Sequence, residues 1–169
     1  MGTMKKPTVS LFRRMKNEGR KITMLTAYDA PTAKLAQECG IDIILVGDSL
    51  GMAVLGYQNT LPVTLEQSLH HCAAVRRGAP DAFVIGDMPF MTCHASETDA
   101  LKNAARYLQE AQCDAVKIEG DAALAPTVER MVHAGIPVMG HIGLLPQHIK
   151  TSGVYRVTGR KEEEAERII

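Results

Sequence analysis

Short runs of consecutive apolar residues alternate along the chain with longer segments in which apolar residues recur every three or four positions. The apolar runs lie within the stretches "KITMLTAYD", "IDIILVGD", "DAFVIGDMP", "DAVKIEG" and "IPVMGHIGL". Successive apolar positions are typical of parallel strands buried on both faces. Helical spacing characterises the segments between them, "APTAKLAQECG", "TLEQSLHHCAAVRRGA", "SETDALKNAARYLQEAQ" and "LAPTVERMVHAG". The pattern therefore predicts five β/α units.

A helical segment within residues 1–20 is predicted to precede the first strand. Its sequence is "TVSLFRRMKNEG", with Ser10 as the expected cap and Gly19 as the expected stop. Parallel strands joined by helices cross over right-handedly, and two compact α/β arrangements satisfy this rule: an open doubly wound sheet and a closed eight-stranded barrel. Spacing alone does not choose between them, but in both cases we expect residues 1–169 to form a single domain.

Composition and charge narrow the class of protein. The 169 residues are 46% hydrophobic and 22% charged, and 19 basic residues balance 19 acidic ones, so a nucleic-acid partner is not expected. The four cysteines are far apart and lack C-x-x-C spacing, which favours reduced thiols in the cytoplasm over a zinc site or a disulfide framework. Neither a signal peptide nor a membrane-spanning apolar run is found. We therefore expect a cytoplasmic protein without a membrane partner.

Polar residues stand where each apolar run ends. They are Asp29, Asp48 with Ser49, Asp87, Lys117 with Glu119, and His141. Ligands bind at the carboxyl ends of the strands in either architecture, so these residues are candidates for function. For Asp29, which precedes Ala-Pro, a helix cap is the simpler interpretation.

Asp48 and Asp87 both follow a V/I-G-D pattern after an apolar strand, which suggests that the two carboxylates meet. Adjacent carboxylates need either a cation or a shared proton. Glu119 would supply a third oxygen donor. Hard oxygen ligands without a Cys-His cluster favour Mg²⁺, so we predict a magnesium site on these three residues.

Lys117 and Glu119 alternate along one strand and are expected to share a face. Lys117 could bind a substrate carboxylate or form an ion pair with Glu119. His141 could hydrogen-bond a substrate, take part in proton transfer or serve a structural role. The segment 51–64 is predicted to be a long binding loop. The chain contains no G-x-G-x-x-G or G-x-x-x-x-G-K-[ST] motif, which counts against nucleotide binding through those motifs.

Several stretches together resemble the 3-methyl-2-oxobutanoate (ketopantoate) hydroxymethyltransferase family. They are "TAYD", "LVGDSLGM", "TLPVT", "HHCAAVRRGAP", "GDMPFM", "AVKIEG", "PVMGHIGLLPQ" and "YRVTGR", in family order and over nearly the whole chain. The resemblance implies a (β/α)₈ TIM-barrel fold. It also implies transfer of a hydroxymethyl group from 5,10-methylenetetrahydrofolate to 3-methyl-2-oxobutanoate, giving 2-dehydropantoate for pantothenate and coenzyme A synthesis, by a homo-oligomer.

By the same resemblance, Mg²⁺ would be bound by Asp48, Asp87 and Glu119. The α-keto acid would contact Asp48, Ser49, Asp87 and Lys117. The family's proton-abstracting glutamate belongs to a sixth strand, beyond Ile169, and no residue of this chain matches it. Only the first five β/α units are expected here, with open edges at the first and fifth strands.

Two alternatives remain open at this point. One is a catalytically incomplete fragment, acting only as a subunit or half-site that pairs its open edges with another chain. The other is a different magnesium-dependent α-keto acid barrel enzyme, of the phosphoenolpyruvate mutase and isocitrate lyase type.

Overall fold

The computed structural model describes residues 6–166 and 168. Its centre is a parallel five-stranded sheet whose strands are β1 (Met24–Thr26), β2 (Ile43–Val46), β3 (Phe83–Asp87), β4 (Ala115–Glu119) and β5 (Val138–His141). The strands lie in the order β1-β2-β3-β4-β5. A doubly wound sheet reverses its order at a switch point, whereas this order runs in one direction, as in the wall of a barrel. The (β/α)₈-type prediction is confirmed, with five consecutive units present.

Helices connect the strands as the sequence predicts. Their bounds are α1 (Val9–Asn17), α2 (Ala30–Glu38), α3 (Leu50–Ala53), α4 (Leu65–Gly78), α5 (Glu97–Gln109), α6 (Ala125–His133), α7 (Ile149–Ser152) and α8 (Glu162–Glu166), with 3₁₀ turns at Ala122–Leu124 and Pro146–His148. Within the described residues, no helix combines the length and apolar character needed to cross a bilayer.

The helix ends test three sequence predictions. Asp29 caps α2, because its Oδ1 accepts a hydrogen bond from the backbone N–H of Thr32 at 2.8 Å. Gly19 follows α1 with φ of +68°, a left-handed conformation that suits glycine at a helix stop. The predicted Ser10 cap is wrong. Thr8, which is extended at φ of −134°, caps α1, and Ser10 already lies inside the helix.

The two faces of the sheet have different neighbours. Side chains such as Ile44, Val84 and Val116 are fully buried in the large core that includes residues of the surrounding helices. On the opposite face, Ile43, Phe83, Ile85 and Ala115 form a second cluster, on which Phe12 of α1 packs with its ring perpendicular to that of Phe83 and 5.0 Å away. Because side chains alternate along a strand, Asp87, Lys117 and Glu119 share this second face.

The edge strands are less protected than the centre of the sheet. Met24 and Leu25 of β1 are each nearly half exposed, and every residue of β5 is at least partly exposed, whereas β3 and β4 are buried throughout. The expectation of open edges at the first and fifth strands is therefore confirmed for this chain.

A glycine in β3 sets the distance between the sheet and α5. A Cβ added to Gly86 would lie 2.3 Å from Cδ1 of the fully buried Tyr107 ring. We expect Gly86→Ala to lower the free energy of unfolding by about 1 to 3 kcal/mol, the usual effect of overpacking. Urea denaturation measures this, and Gly140→Ala is the matched control, because a Cβ on that β5 glycine meets nothing within 4 Å. Equal losses in the two variants would contradict the packing argument.

Candidate active site

Four charged side chains converge where three adjacent strands end. Asp87 Oδ1 lies 2.8 Å from Lys117 Nζ. The backbone N–H of Asp48 donates a hydrogen bond to Asp87 Oδ2 at 3.0 Å. Asp48, Asp87, Lys117 and Glu119 are all buried. The end of β3 and the residues just after β2 thus come together as the V/I-G-D patterns predict.

Burial makes the Asp87 carboxylate costly to ionise. Loss of solvent raises the pKa of Asp87 to about 7, the neighbouring Lys117 ammonium opposes the rise, and the nearby Asp48 carboxylate adds to it. The ion pair of Lys117 is with Asp87 and not with Glu119, the partner considered from the sequence. Asp87 is therefore an acidic group for which a neighbouring cation would be strongly favourable.

Glu119 contacts the backbone of Gln147 and the ring of His141. Its Oε1 accepts the backbone N–H of Gln147 at 2.6 Å, and its Oε2 lies 3.2 Å from His141 Nδ1. The same ring nitrogen is 3.4 Å from Lys117 Nζ. His141 therefore contacts both Lys117 and Glu119, which places its side chain in the charged cluster.

Ser49 occupies a separate hydrogen-bond network beside Asp48. Its Oγ lies 2.8 Å from the hydroxyl oxygen of Tyr28, whose backbone carbonyl in turn is 2.7 Å from Nδ1 of His71 in α4. A Cβ on Gly47 would come within 2.8 Å of Ser49 Oγ, so this glycine permits the close approach. Tyr28 and His71 are neighbours of the site that the sequence did not identify as such.

Two further groups of residues were missed at the sequence level. Tyr107 and Ser68 both lie within hydrogen-bond distance of the Asp87 carbonyl oxygen, at 2.8 and 3.1 Å. Gln147 donates its side-chain NH₂ to Asp48 Oδ2 and to the Met88 carbonyl, each at 3.0 Å. The only signal for Gln147 was its position at the end of "PVMGHIGLLPQ", because it belongs to no strand end.

The predicted loop 51–64 is more compact than expected. It begins inside the one-turn helix α3, and Leu50 and Val63 are buried in the core. A Cβ on Gly51 would lie 2.5 Å from Val63 Cγ2. The beginning and the end of the segment are therefore in contact, which would not be the case in a fully open loop.

The donor set is compatible with a hard divalent cation. The buried Asp87 carboxylate accepts the backbone N–H of the buried Asp48. Asp87 Oδ1 lies 2.8 Å from Lys117 Nζ but makes no well-oriented hydrogen bond with the described residues. In the part of the chain that is described, no three His, Cys, Asp or Glu side chains are close enough to form a ready-made metal site. The predicted magnesium ligands Asp48, Asp87 and Glu119 thus stay a prediction, which the oxygen chemistry of the site supports.

Solved structures share the fold at low sequence identity. A 2,3-dimethylmalate lyase of the PEP mutase/isocitrate lyase superfamily matches with a TM-score of 0.59 and 18% identity, over 79% of this chain and 53% of its own. A phosphonopyruvate hydrolase in complex with oxalate and Mg²⁺ matches with a TM-score of 0.55 and 18% identity, over 66% and 38% of the respective chains. These matches support the barrel-type fold alone.

Sequence comparison is far more specific. The 3-methyl-2-oxobutanoate hydroxymethyltransferase of Shouchella clausii is 52% identical over 162 residues, which is 96% of this chain and 58% of that protein. The enzyme of the same name from Desulfotalea psychrophila is 54% identical over 165 residues, 98% of this chain and 59% of that protein. The chain thus spans a little under three fifths of these relatives. The family model described as ketopantoate hydroxymethyltransferase matches residues 6–169, and the chain belongs to the ketopantoate hydroxymethyltransferase family.

Proposed function

We propose that this chain provides the metal and keto-acid binding part of a 3-methyl-2-oxobutanoate hydroxymethyltransferase of the pantothenate pathway. The observation that carries the proposal is the buried cluster of Asp48, Asp87, Lys117 and Glu119 at the carboxyl ends of the strands. The buried Lys117 ammonium suits the carboxylate of a keto acid. The neighbouring carboxylates suit a metal ion that would bind the keto oxygen. Family membership supports the same substrate.

The charge of each side chain determines its proposed role in the site. Asp48 and Asp87 would hold Mg²⁺, with Glu119 as the third acidic residue of the site. When bound, the metal supplies Lewis-acid polarisation of the keto oxygen, which acidifies the adjacent C–H. Lys117 would pair with the substrate carboxylate, and Ser49, held by Tyr28, would donate to the same ligand. The solved neighbour that holds oxalate and Mg²⁺ is compatible with such a ligand in this type of fold.

The remaining features of the proposal rest on the family resemblance. They are 5,10-methylenetetrahydrofolate as the one-carbon donor and a homo-oligomeric assembly. The four free cysteines are compatible with the proposed cytoplasmic location. The alternative of a phosphoenolpyruvate mutase or isocitrate lyase type enzyme is not favoured, because the two solved neighbours described above match at 18% identity and the two hydroxymethyltransferases at 52% and 54%.

Calorimetry on the purified 169-residue chain tests the proposal. We expect 3-methyl-2-oxobutanoate to bind in the presence of Mg²⁺ and to bind much more weakly in EDTA, because Asp48 and Asp87 repel an anion until a cation offsets their charge. Phosphonopyruvate and isocitrate serve as comparison ligands. A folded chain that binds neither Mg²⁺ nor 3-methyl-2-oxobutanoate would overturn the proposal, and a preference for phosphonopyruvate or isocitrate would favour the alternative.

A further inference from the structure

Gln147 makes hydrogen bonds to residues at the ends of three strands. It lies in the turn Pro146–His148 that follows β5, and its side chain is buried. Its backbone N–H donates to Glu119 Oε1 at 2.6 Å. Its side-chain NH₂ donates to Asp48 Oδ2 and to the backbone carbonyl of Met88, both at 3.0 Å. One residue thus contacts the residues that end or follow β2, β3 and β4.

The orientation of the Gln147 amide is fixed by its partners. Both are acceptors, a carboxylate oxygen and a carbonyl oxygen, so only the NH₂ group can face them. Rotating the amide by half a turn would set its Oε1 against two other oxygens and leave them without their donor. In this orientation Oε1 is buried and accepts no hydrogen bond from the described residues.

The Gln147 amide is the hydrogen-bond donor that the structure gives to the Asp48 carboxylate. The Asp48 side chain is held at Oδ2 by Gln147, and its backbone N–H is held by Asp87. A neutral donor can orient a carboxylate without cancelling its charge, which a lysine or arginine in the same place would do. The amide of Gln147 therefore orients the Asp48 carboxylate without adding a positive charge beside it.

We propose that Gln147 is a positioning residue that presents the Asp48 carboxylate to the divalent metal, a role that rests on the proposed function. Outer partners of metal ligands typically change metal affinity by 10- to 100-fold when they are removed. Gln147 acts through Asp48. Its buried Oε1 would accept a hydrogen bond from one of the waters that Mg²⁺ retains.

Manganese binding provides the test, with free Mn²⁺ counted by electron paramagnetic resonance. Gln147→Met keeps the side-chain length and the backbone N–H to Glu119 but removes the amide. We expect this variant to bind Mn²⁺ about 10-fold more weakly than the parent chain. Gln109→Met is the matched control, because Gln109 is exposed at the end of α5, and it should bind Mn²⁺ as the parent does.

A second variant and a spectroscopic measurement separate positioning from mere folding. Gln147→Asn keeps an amide but cannot reach both acceptors, so it should also weaken Mn²⁺ binding. In the parent chain, the NMR signals of the Gln147 side-chain amide, assigned by their loss in Gln147→Met, should shift when Mg²⁺ is added.

The possible failures are distinguishable. If the parent binds Mn²⁺ and the folded Gln147 variants bind it equally tightly, or if the amide signals do not respond to Mg²⁺, the role of Gln147 is wrong and the proposed function stands. If the folded parent binds no divalent metal, the proposed metal site fails and the role of Gln147 fails with it.

Discussion

Replacing Lys117 with methionine is expected to destabilise the metal-free chain by up to about 2 kcal/mol at pH 8.5 and to change its stability little at pH 5.5. Methionine retains most of the length of the lysine stem but removes the ammonium group that lies 2.8 Å from Asp87 Oδ1. Removing one partner of a buried ion pair leaves the other charge uncompensated, which costs about 3 to 5 kcal/mol when that charge is retained. Asp87 can instead take up a proton, so the loss grows by only about 1.4 kcal/mol for each pH unit above about 7.

The pH dependence follows from the direction of the Asp87 shift. Burial raises the pKa of Asp87 from 3.8 to about 7, so the folded chain binds the proton more tightly than the unfolded chain. Stability from this group is therefore complete below about pH 4 and is lost as the pH rises through about 7. Without Lys117 the pKa of folded Asp87 rises further, so parent and variant differ only above about pH 7, where the parent carboxylate is ionised.

Urea denaturation in EDTA at the two pH values measures this difference. The double variant Lys117→Met with Asp87→Asn carries neither charge, and we expect it to regain most of the stability lost at pH 8.5. If Lys117→Met lost equal stability at pH 5.5 and pH 8.5, the effect would come from packing of the lysine stem, and the charge argument would be wrong.

Replacing Asp48 with asparagine is expected to weaken Mg²⁺ binding roughly 100-fold. Removing an outer partner of a metal ligand weakens binding about 10- to 100-fold, and loss of the charge of a ligand itself should reach at least the upper end of that range. Asparagine preserves the shape and the oxygen that can accept the Gln147 NH₂, so the loss isolates the charge. Calorimetric titration with Mg²⁺ gives the affinity, and the midpoint of thermal unfolding reports any general damage.

Asp81→Asn is the matched control for that experiment. Asp81 precedes β3 and is exposed at the opposite end of the strand from Asp87. The same loss of one negative charge there should leave Mg²⁺ affinity nearly unchanged. Equal weakening by the two substitutions would mean that net charge, and not a metal site at Asp48, governs binding.

Most of the fold could be read from the sequence because parallel strands and their helices carry strong local signals. The five strands lie inside the five predicted apolar stretches, and the Asp29 cap was identified from its position before Ala-Pro. The order of strands could not be read, because pairing is a long-range property that spacing permits but does not determine. Ser10 was the wrong cap because two hydroxyl residues, Thr8 and Ser10, compete for one helix start.

From the sequence, only those site residues that carry a titratable side chain at the end of a strand could be predicted. Asp87, Lys117, Glu119 and His141 stand at such ends, and they do come together. The partner of Lys117 was not predictable, because Glu119 shares its strand while Asp87 lies beside it in the parallel register of β3 and β4. Tyr28 was overlooked because its role depends on a hydroxyl contact across the fold and not on its neighbours in sequence.

The hydrogen bond between the Gln147 amide and Asp48 joins residues 99 positions apart, whereas each strand pairs only with the strand before or after it in the chain. During synthesis the sheet can therefore grow unit by unit as the chain leaves the ribosome. The acidic residues would be brought together first, and Asp48 would be fixed only after β5 and the turn behind it have been made. An early nascent chain would then contain the acidic cluster in a looser arrangement until the turn behind β5 has been made.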